Sequence, residues 1–435
     1  MSRRIYFDGL NLSLEHGTGI ATYTRVLANL AGELGYEVGA VYASPHRPPK
    51  NDLMREIAFF DPRNAAHITR QRGFYNWLED QANYIREVRQ TLVSLTGRVI
   101  ADQFRARMPK LDQFFVARNV FSNALDYYQW TGRFAKIAFD TPPNIMHCTY
   151  QLPLRAKGAC NLYTIHDLVP LRLPFATLDN KRRAYKLLRQ VAEQADHIVT
   201  VSENSKRDIV ELLGVPEERV TNTYQAVKFP NVLLQRSDEL IAAQLRRIYR
   251  LEPRNYLFFY GALEPKKNVA RLIDAYLLSA VKMPLVIAGA KGWNNHIELS
   301  KIEQLRTEDR AQRYRDRRVY HLEYVSLSML VTLIRGARAV VFPSLYEGFG
   351  LPVLEAMALG TPVVTSRTSS LPEVAGDAAL YVNPYYVNEI ADGIRTVAYD
   401  DDLCAELVTR GRAQAERFSL DRYRERIGAL YERLS

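Results

Sequence analysis

Ser344-Leu345-Tyr346-Glu347-Gly348-Phe349-Gly350-Leu351-Pro352-Val353-Leu354-Glu355-Ala356-Met357-Ala358-Leu359-Gly360-Thr361-Pro362 is the stretch from which the fold is read. An apolar, strand-like run, Ala339 to Phe342, ends just before it. Pro352 suits the first turn of a helix, where its missing N–H leaves no bond unmade. Gly360 and Pro362 suit that helix's end. The order is therefore strand, glycine-bearing turn, helix. Free N–H groups at such a helix start are a ready site for phosphate or sugar oxygens. Glu347 sits in the turn and Glu355 one turn into the helix, so both can approach one ligand. Carboxylates accept hydrogen bonds strongly from sugar and ribose hydroxyls. The competing reading is a plain turn with two solvated glutamates. It would leave the coincidence of two acids, two glycines and helix punctuation unexplained.

Working outward, the same alternation recurs. Strand-like runs are Arg4 to Phe7, Val38 to Tyr42, Asn161 to Ile165, His197 to Val201, Tyr256 to Tyr260, Leu285 to Ala288, Ala339 to Phe342 and Pro362 to Thr365, with helical patterns between many of them. This alternation predicts an α/β fold with parallel sheets. A chain of 435 residues is too long for one ordinary core. The expected division is an N-terminal domain over 1–228, a linker over 229–255, a C-terminal domain over 256–415 and a last helix over 416–435. One interval breaks the rhythm. From about 44 to 140 helical periodicity is visible but no convincing strand. Phe74, Trp77, Ala82, Ile85 and Val88 suggest one amphipathic helix, and the interval reads as a helical insertion into the first domain. Residues 70–140 hold nine Arg and two Lys against seven acids, interleaved with aromatics, which suits acceptor or membrane contact, a packed cap or a dimer contact equally.

Three further stretches end strands. Tyr260-Gly261-Ala262-Leu263-Glu264-Pro265-Lys266-Lys267-Asn268 puts two lysines where an anionic ligand sits in an α/β sheet, or else forms a solvated basic turn. A lysine there would neutralise a diphosphate leaving group. Glu15-His16-Gly17-Thr18-Gly19 is a weak G-x-G whose glycines would let backbone approach a phosphate, or a simple tight turn. Tyr163-Thr164-Ile165-His166-Asp167 delivers His166 and Asp167 to a strand end, for function or for packing and capping.

The net charge of +10 favours an anionic partner but does not choose one. Cys148, Cys160 and Cys404 have no metal or redox spacing, which fits a reducing compartment. No His/Cys/Asp set has metal spacing, so no metal is expected. No helix-turn-helix, zinc finger or RNA-binding signature appears, so nucleic acid is not expected as a partner. The N-terminus lacks a signal-peptide apolar run, and no stretch is long enough to cross a membrane. The expected location is the cytoplasm, with the inner membrane face as a possible contact. Oligomeric state is not readable.

The Glu347-x7-Glu355 block, the Leu263-Glu264-Pro265-Lys266-Lys267-Asn268 block, the tail Ser369-Ser370-Leu371-Pro372-Glu373-Val374-Ala375-Gly376 and the segment Ala195 to Ser202 together resemble glycosyltransferase family 4, the retaining GT-B enzymes. The resemblance covers 1–43 and about 144–425. It implies two Rossmann-like domains facing across a cleft, with the donor on the C-terminal domain, the acceptor on the N-terminal domain, and the last helix crossing back. It implies that Glu355 binds the nucleotide ribose. Glu347, with Gly348 and the amides of Phe349, Gly350 and Leu351, holds the transferred sugar and phosphates. Lys267, helped by Lys266, meets the diphosphate. Gly17 and Gly19 approach the same phosphates, and His166 contacts the donor sugar near the reacting carbon. Tyr324 and Val325 recognise the base, helped by the loop after Gly289. His166, Lys267 and Glu347 are the implied catalytic set. Many members carry an arginine where this chain has Ala262, which shifts the load to Lys266 and Lys267.

The implied function is a metal-independent, retaining hexosyltransferase. No cofactor is expected beyond the nucleotide sugar as co-substrate. The block sequences resemble mannosyl- and rhamnosyltransferases of surface polysaccharide pathways, with GDP-mannose as the first donor and a glycan or lipid-linked glycan as acceptor. Rhamnosyl or glucosyl transfer from another nucleotide sugar stays open. So does a non-catalytic sugar-nucleotide or nucleic-acid binding protein.

Overall fold

The computed structural model describes residues 3–13, 19–61, 87–101, 108–290, 292, 296–310 and 319–435, with backbone only over 305–310. Two large sheets carry the chain. The first has eight strands in the order β11-β10-β9-β7-β1-β2-β5-β4. These are β1 Arg4–Asp8, β2 Glu37–Ser44, β4 Thr91–Leu92, β5 Gln113–Arg118, β7 Ile145–Cys148, β9 Cys160–Thr164, β10 His197–Thr200 and β11 Val220–Asn222. Pairing is parallel throughout except at the edge, where β4 runs antiparallel to β5. A small parallel sheet of β3 Val88–Arg89, β6 Ala135–Ala138 and β8 Leu154–Ala156 lies beside it.

The second sheet has six parallel strands in the order β14-β13-β12-β15-β16-β17. They are β12 Leu257–Tyr260, β13 Leu285–Ala288, β14 Val319–Leu322, β15 Ala339–Phe342, β16 Val363–Ser366 and β17 Leu380–Val382. LFFY, LVIA, AVVF and VVTS are buried at every position, as expected for strands covered by helices on both faces. All six C-terminal ends therefore meet at one edge, the edge where ligands bind in open α/β sheets.

The interval 44–140 corrects the expectation of a strand-free helical insertion. It contains the helices Asp52–Phe60 and Val120–Thr131, but β5 pairs with β2 over six residues and so belongs to the main sheet. Phe114 and Phe115 are buried in it rather than displayed. The run FFVA is fully buried, so it lacks the alternation that marks a half-exposed strand. Val88 lies in a two-residue strand, not in a helix; Phe74, Trp77, Ala82 and Ile85 lie outside the described residues. The expected linker, 229–255, packs against the second domain. Phe229, Leu233, Ile241, Leu245 and Leu251 are buried, and Gln244 accepts a hydrogen bond from Thr332 of the helix Leu327–Gly336.

The last helix, Leu420–Leu434, lies against the first sheet. Its Tyr431 hydroxyl is 2.8 Å from His147 Nδ1 on β7, and Arg424 pairs with Glu33. Gly428 sits so near Leu34 that an added Cβ would stand 3.3 Å from Leu34 Cδ2.

Candidate active site

The turn after β15 is held from several sides. Ser344 Oγ donates to Glu347 Oε1, Glu347 N donates to Ser369 Oγ at 2.9 Å, and Ser370 Oγ lies within 2.9 Å of the Glu347 and Phe349 carbonyls. Glu347 is thereby fixed before any ligand arrives. Lys267 Nζ donates to Glu347 Oε1 at 2.7 Å, with the two side chains only 13% and 8% exposed. The ammonium also stands over the Phe342 ring, 4.9 Å from its centroid. Gly350 precedes the helix Leu351–Ala358 at φ 113, a left-handed conformation that favours glycine. Pro352 stands in the first turn as expected. The amides at this helix start have no intrahelical acceptor and can serve an anion.

Lys266 turns the other way. Its Nζ lies 3.7 Å from Asp167 Oδ2, which is delivered by the turn after β9 of the opposite sheet. Burial opposes its charge, but Asp167, Glu347 and Glu264 outweigh that and raise its pKa. The two adjacent lysines thus serve opposite walls. Glu264 is buried, and burial raises its pKa against the pull of Lys266 and Lys267. Glu355 lies partly exposed on the helix after the glycine turn. Desolvation pushes its carboxyl up to about 7, partly countered by the Tyr260 hydroxyl.

On the N-terminal wall, His166 Nε2 is 3.1 Å from Thr149 O, and Tyr23 packs edge-on against its ring at 4.8 Å. A carbonyl only accepts, so Nε2 carries the proton. Burial first, and Lys266 in addition, lower the imidazole pKa. Burial therefore favours the neutral imidazole, with Nδ1 bearing a lone pair.

The two walls touch. An added Cβ on Gly348 would lie 2.5 Å from His166 O, so only glycine allows this approach. Ser205 Oγ reaches both the His166 carbonyl, at 2.9 Å, and the Gly348 carbonyl, at 3.3 Å. Glu373 accepts from Glu203 N at 2.7 Å and Asn204 N at 3.2 Å, at the start of the helix Glu203–Leu213. Tyr346 donates to Asp208 of that helix.

His166, Lys266, Lys267, Glu347, Gly348, Phe349, Gly350 and Leu351 are thus brought together, and Glu355 follows one turn along. Gly19 opens the helix Gly19–Glu33 and faces Leu351, whose Cδ1 would be 4.0 Å from an added Cβ. Gly289 follows β13, donates to Leu322 O at 2.8 Å, and shares the sheet edge with Tyr324 and Val325 after β14. Tyr324 is 79% exposed. Gly17 lies outside the described residues. Among the described residues no group of three His, Cys, Asp or Glu is placed to hold a metal ion, and no helix is long and apolar enough to cross a membrane. Ser205, Ser344, Asp8 and Thr149 are not singled out by the sequence; Asp8 accepts hydrogen bonds from the Thr149 backbone N and hydroxyl. Asp8 had a signal: it is the lone acid ending the buried run Ile5-Tyr6-Phe7.

Two largely parallel α/β sheets, with a basic pair and two glutamates where they meet, make up a GT-B arrangement. The profile of "Glycosyl transferases group 1" matches residues 242–414, and that of "Glycosyltransferase Family 4" matches 81–228. The second match also corrects the expected extent of the resemblance, since it takes in much of the 44–140 interval. O-antigen chain mannosyltransferase B of Escherichia coli is 34% identical over 62% of this chain and 69% of its own. O-antigen chain mannosyltransferase RfbU of Salmonella typhimurium is 25% identical over 69% of this chain and 77% of its own. Against the serotype-specific mannosyltransferase WbdA of Escherichia coli, 29% identical over 58% of this chain, the match spans only 31% of that protein. The solved sucrose-phosphate synthase of Thermosynechococcus elongatus superposes over 99% of both chains with a TM-score of 0.65 at 16% identity, a likeness of fold. The chain belongs to the group 1, family 4 glycosyltransferases, the retaining GT-B enzymes.

Proposed function

We propose that this enzyme transfers mannose from GDP-mannose, with retained configuration, to a glycan or lipid-linked glycan in surface polysaccharide synthesis. The carrying observation is the pair Lys267–Glu347 before the helix Leu351–Ala358, with the neighbouring Gly348 set against the His166 carbonyl. The mannosyltransferase names of its relatives support the choice of sugar. In this reading Glu355 binds the ribose and the amides of Phe349, Gly350 and Leu351 take the phosphates. Gly289, Tyr324 and Val325 face the base, and Gly17 and Gly19 close over the diphosphate. When the diphosphate leaves, Lys267 neutralises it, which acts in the transition state. The acceptor hydroxyl attacks from the same face and gives its proton to the departing phosphate, so no protein nucleophile is needed. Catalysis is then positioning and charge stabilisation. No metal or cofactor enters this reading, and the membrane's inner face is the proposed place of contact with a lipid-linked acceptor.

The test is thermal unfolding with GDP, UDP, dTDP and ADP in turn. A ligand bound only by the folded state stabilises by roughly 2.7 kcal/mol at a hundredfold excess over Kd. A shift selective for GDP, followed by mannose transfer to an α-linked product, supports the reading. Selectivity for another base overturns the donor.

A further inference from the structure

We infer that Asp8 and Thr149 are positioning residues that set the tautomer of His166. The inference rests on the placement of His166 beside the transferred sugar. Asp8 ends β1 and is fully buried. Its Oδ2 accepts from the backbone N of Thr149 and, at 2.8 Å, from Thr149 Oγ1. Thr149 Oγ1 in turn lies 2.8 Å from the hydroxyl of Thr24, on the helix Gly19–Glu33, whose one proton is shared with the Ile20 carbonyl. Thr149 is thus tied at its amide and its hydroxyl, and its one remaining polar group, the carbonyl, meets His166 Nε2. The three residues end or follow β1, β7 and β9, which are neighbours in the sheet. The relay runs along the sheet edge that faces the donor loop.

Its chemical consequence is directional. A neutral imidazole has one donor and one acceptor nitrogen, and the partner of one decides the other. With the Nε2 proton held by Thr149 O, Nδ1 only accepts: it can receive a hydrogen bond from a hydroxyl of the bound sugar but cannot donate to a ring or phosphate oxygen. Tyr23 limits ring rotation from the side; its own hydroxyl is 3.1 Å from Thr164 Oγ1. Among the described residues Asp8 Oδ1 has no hydrogen-bond partner of good geometry, and burial raises the carboxyl to about 6 although the Thr149, Leu10 and Asp8 N–H groups favour the charge. A carboxyl kept buried against such a cost is a mark of functional sites.

The experiment is a long-range 1H–15N correlation spectrum of the full chain labelled with 15N-histidine. The His166 signals are assigned by their loss in His166→Gln. The wild-type ring is expected as the Nε2–H tautomer alone. Asp8→Ala is expected to bring in the Nδ1–H form. Asp8→Asn, which still accepts from Thr149 N, is expected to keep the wild-type pattern. Should Asp8→Ala fail to fold, Asp8→Leu carries the test, because it likewise removes the acceptor of Thr149 N and Oγ1 while filling the buried space. An unchanged tautomer in either folded variant overturns the inference. With GDP-mannose as the assayed donor, Asp8→Ala is expected to lower kcat by about 10- to 100-fold, the cost of a misplaced group, with the donor KM little changed. In a His166→Gln background the same change is expected to add less than about twofold, since residues acting as one unit are not additive. Effects that multiply overturn the inference. A His166→Gln enzyme as active as wild type would instead overturn the placement of His166 at the sugar, while the spectrum would still report the tautomer.

Discussion

In the C-terminal wall of the cleft, Glu347, Gly348, Gly350 and Glu355 come from one continuous stretch, and Lys266 and Lys267 from one other. In the N-terminal wall, Asp8, Thr149, His166 and Ser205 come from four places far apart in sequence. The difference is physical. A diphosphate needs a helix start and nearby cations, which one strand–turn–helix step supplies. Orienting one imidazole needs partners on neighbouring strands, and parallel neighbours are joined only through long crossovers. The C-terminal wall should therefore bind nucleotide on its own strength, while the N-terminal wall should act on turnover and only when the cleft is closed.

The largest expected effect separates charge from binding on the donor side. Lys267→Ala is expected to cut turnover by about 100- to 1000-fold, the scale of losing one transition-state charge stabiliser. It also removes the side chain packed over Phe342, so Lys267→Met, which keeps that length but not the charge, is the companion variant that separates packing from charge. Steady-state rates with nucleotide binding measured separately give the result. Unchanged turnover in a folded variant would break the assignment of the leaving-group role.

Gly348→Ala tests closure directly. The new Cβ would stand 2.5 Å from His166 O, a backbone atom that cannot swing aside. Turnover is expected to fall by about 100-fold, as for reacting groups held about an ångström out of place. Nucleotide affinity, read by calorimetry, should change little, because Lys267, Glu347 and Glu355 stay in place. A loss of affinity as large as the loss of turnover would mean that the N-terminal wall, through Gly17 and Gly19, carries most of the nucleotide binding, and the contrast between the walls would fail.

How much of this was legible follows the same division. The donor wall was readable because Gly350, Pro352 and Gly360 have conformational signatures that survive without a structure. Asp167 was noticed as a strand-end residue, but its pairing with Lys266 was not, since a cross-cleft contact leaves no spacing. The interval 44–140 misled because β5 is buried on both faces and short, so its FFVA core carries no period of two. Asp8 was visible as an acid closing an apolar strand, yet its partner Thr149 lies 141 positions away.

Glu355 sharpens the donor side through pH. Its carboxyl is raised to about 7 by burial. A raised carboxylate contributes stability that is present at low pH and lost as pH rises through that value. The free enzyme should therefore lose stability between about pH 4.5 and 7, with most of that pH dependence absent in Glu355→Gln. Ribose hydroxyls donating to the carboxylate favour the ionised form, so affinity for intact GDP-mannose should rise over the same window and then level off. Glu355→Ala is expected to weaken binding by about tenfold, for loss of a hydrogen bond to a charged group, with less effect on kcat. Calorimetry at several pH values, in buffers of different ionisation heat, would show proton release on binding; a flat wild-type profile would remove Glu355 from the ribose.

The smallest effect concerns the contact that joins the walls away from the chemistry. Glu373 receives Glu203 N and Asn204 N at the start of an eleven-residue helix, so its charge meets the positive end of that helix. A carboxylate in that position is worth typically 0.3–1 kcal/mol, and salt screens it. Glu373→Gln keeps the shape and one accepting oxygen but removes the charge. If closure precedes transfer, kcat/KM should drop by about two- to fivefold, the factor that this energy corresponds to. The drop should shrink as salt is added, because the wild type loses the same interaction by screening. Since Glu373 lies on the donor wall and its partners on the other, the loss belongs to closure alone, and nucleotide binding to the open enzyme should be untouched. A larger loss that ignores salt would point instead to Ser205 and Tyr346 moving with Glu373, and the walls would then be closing as one braced unit rather than through separable contacts.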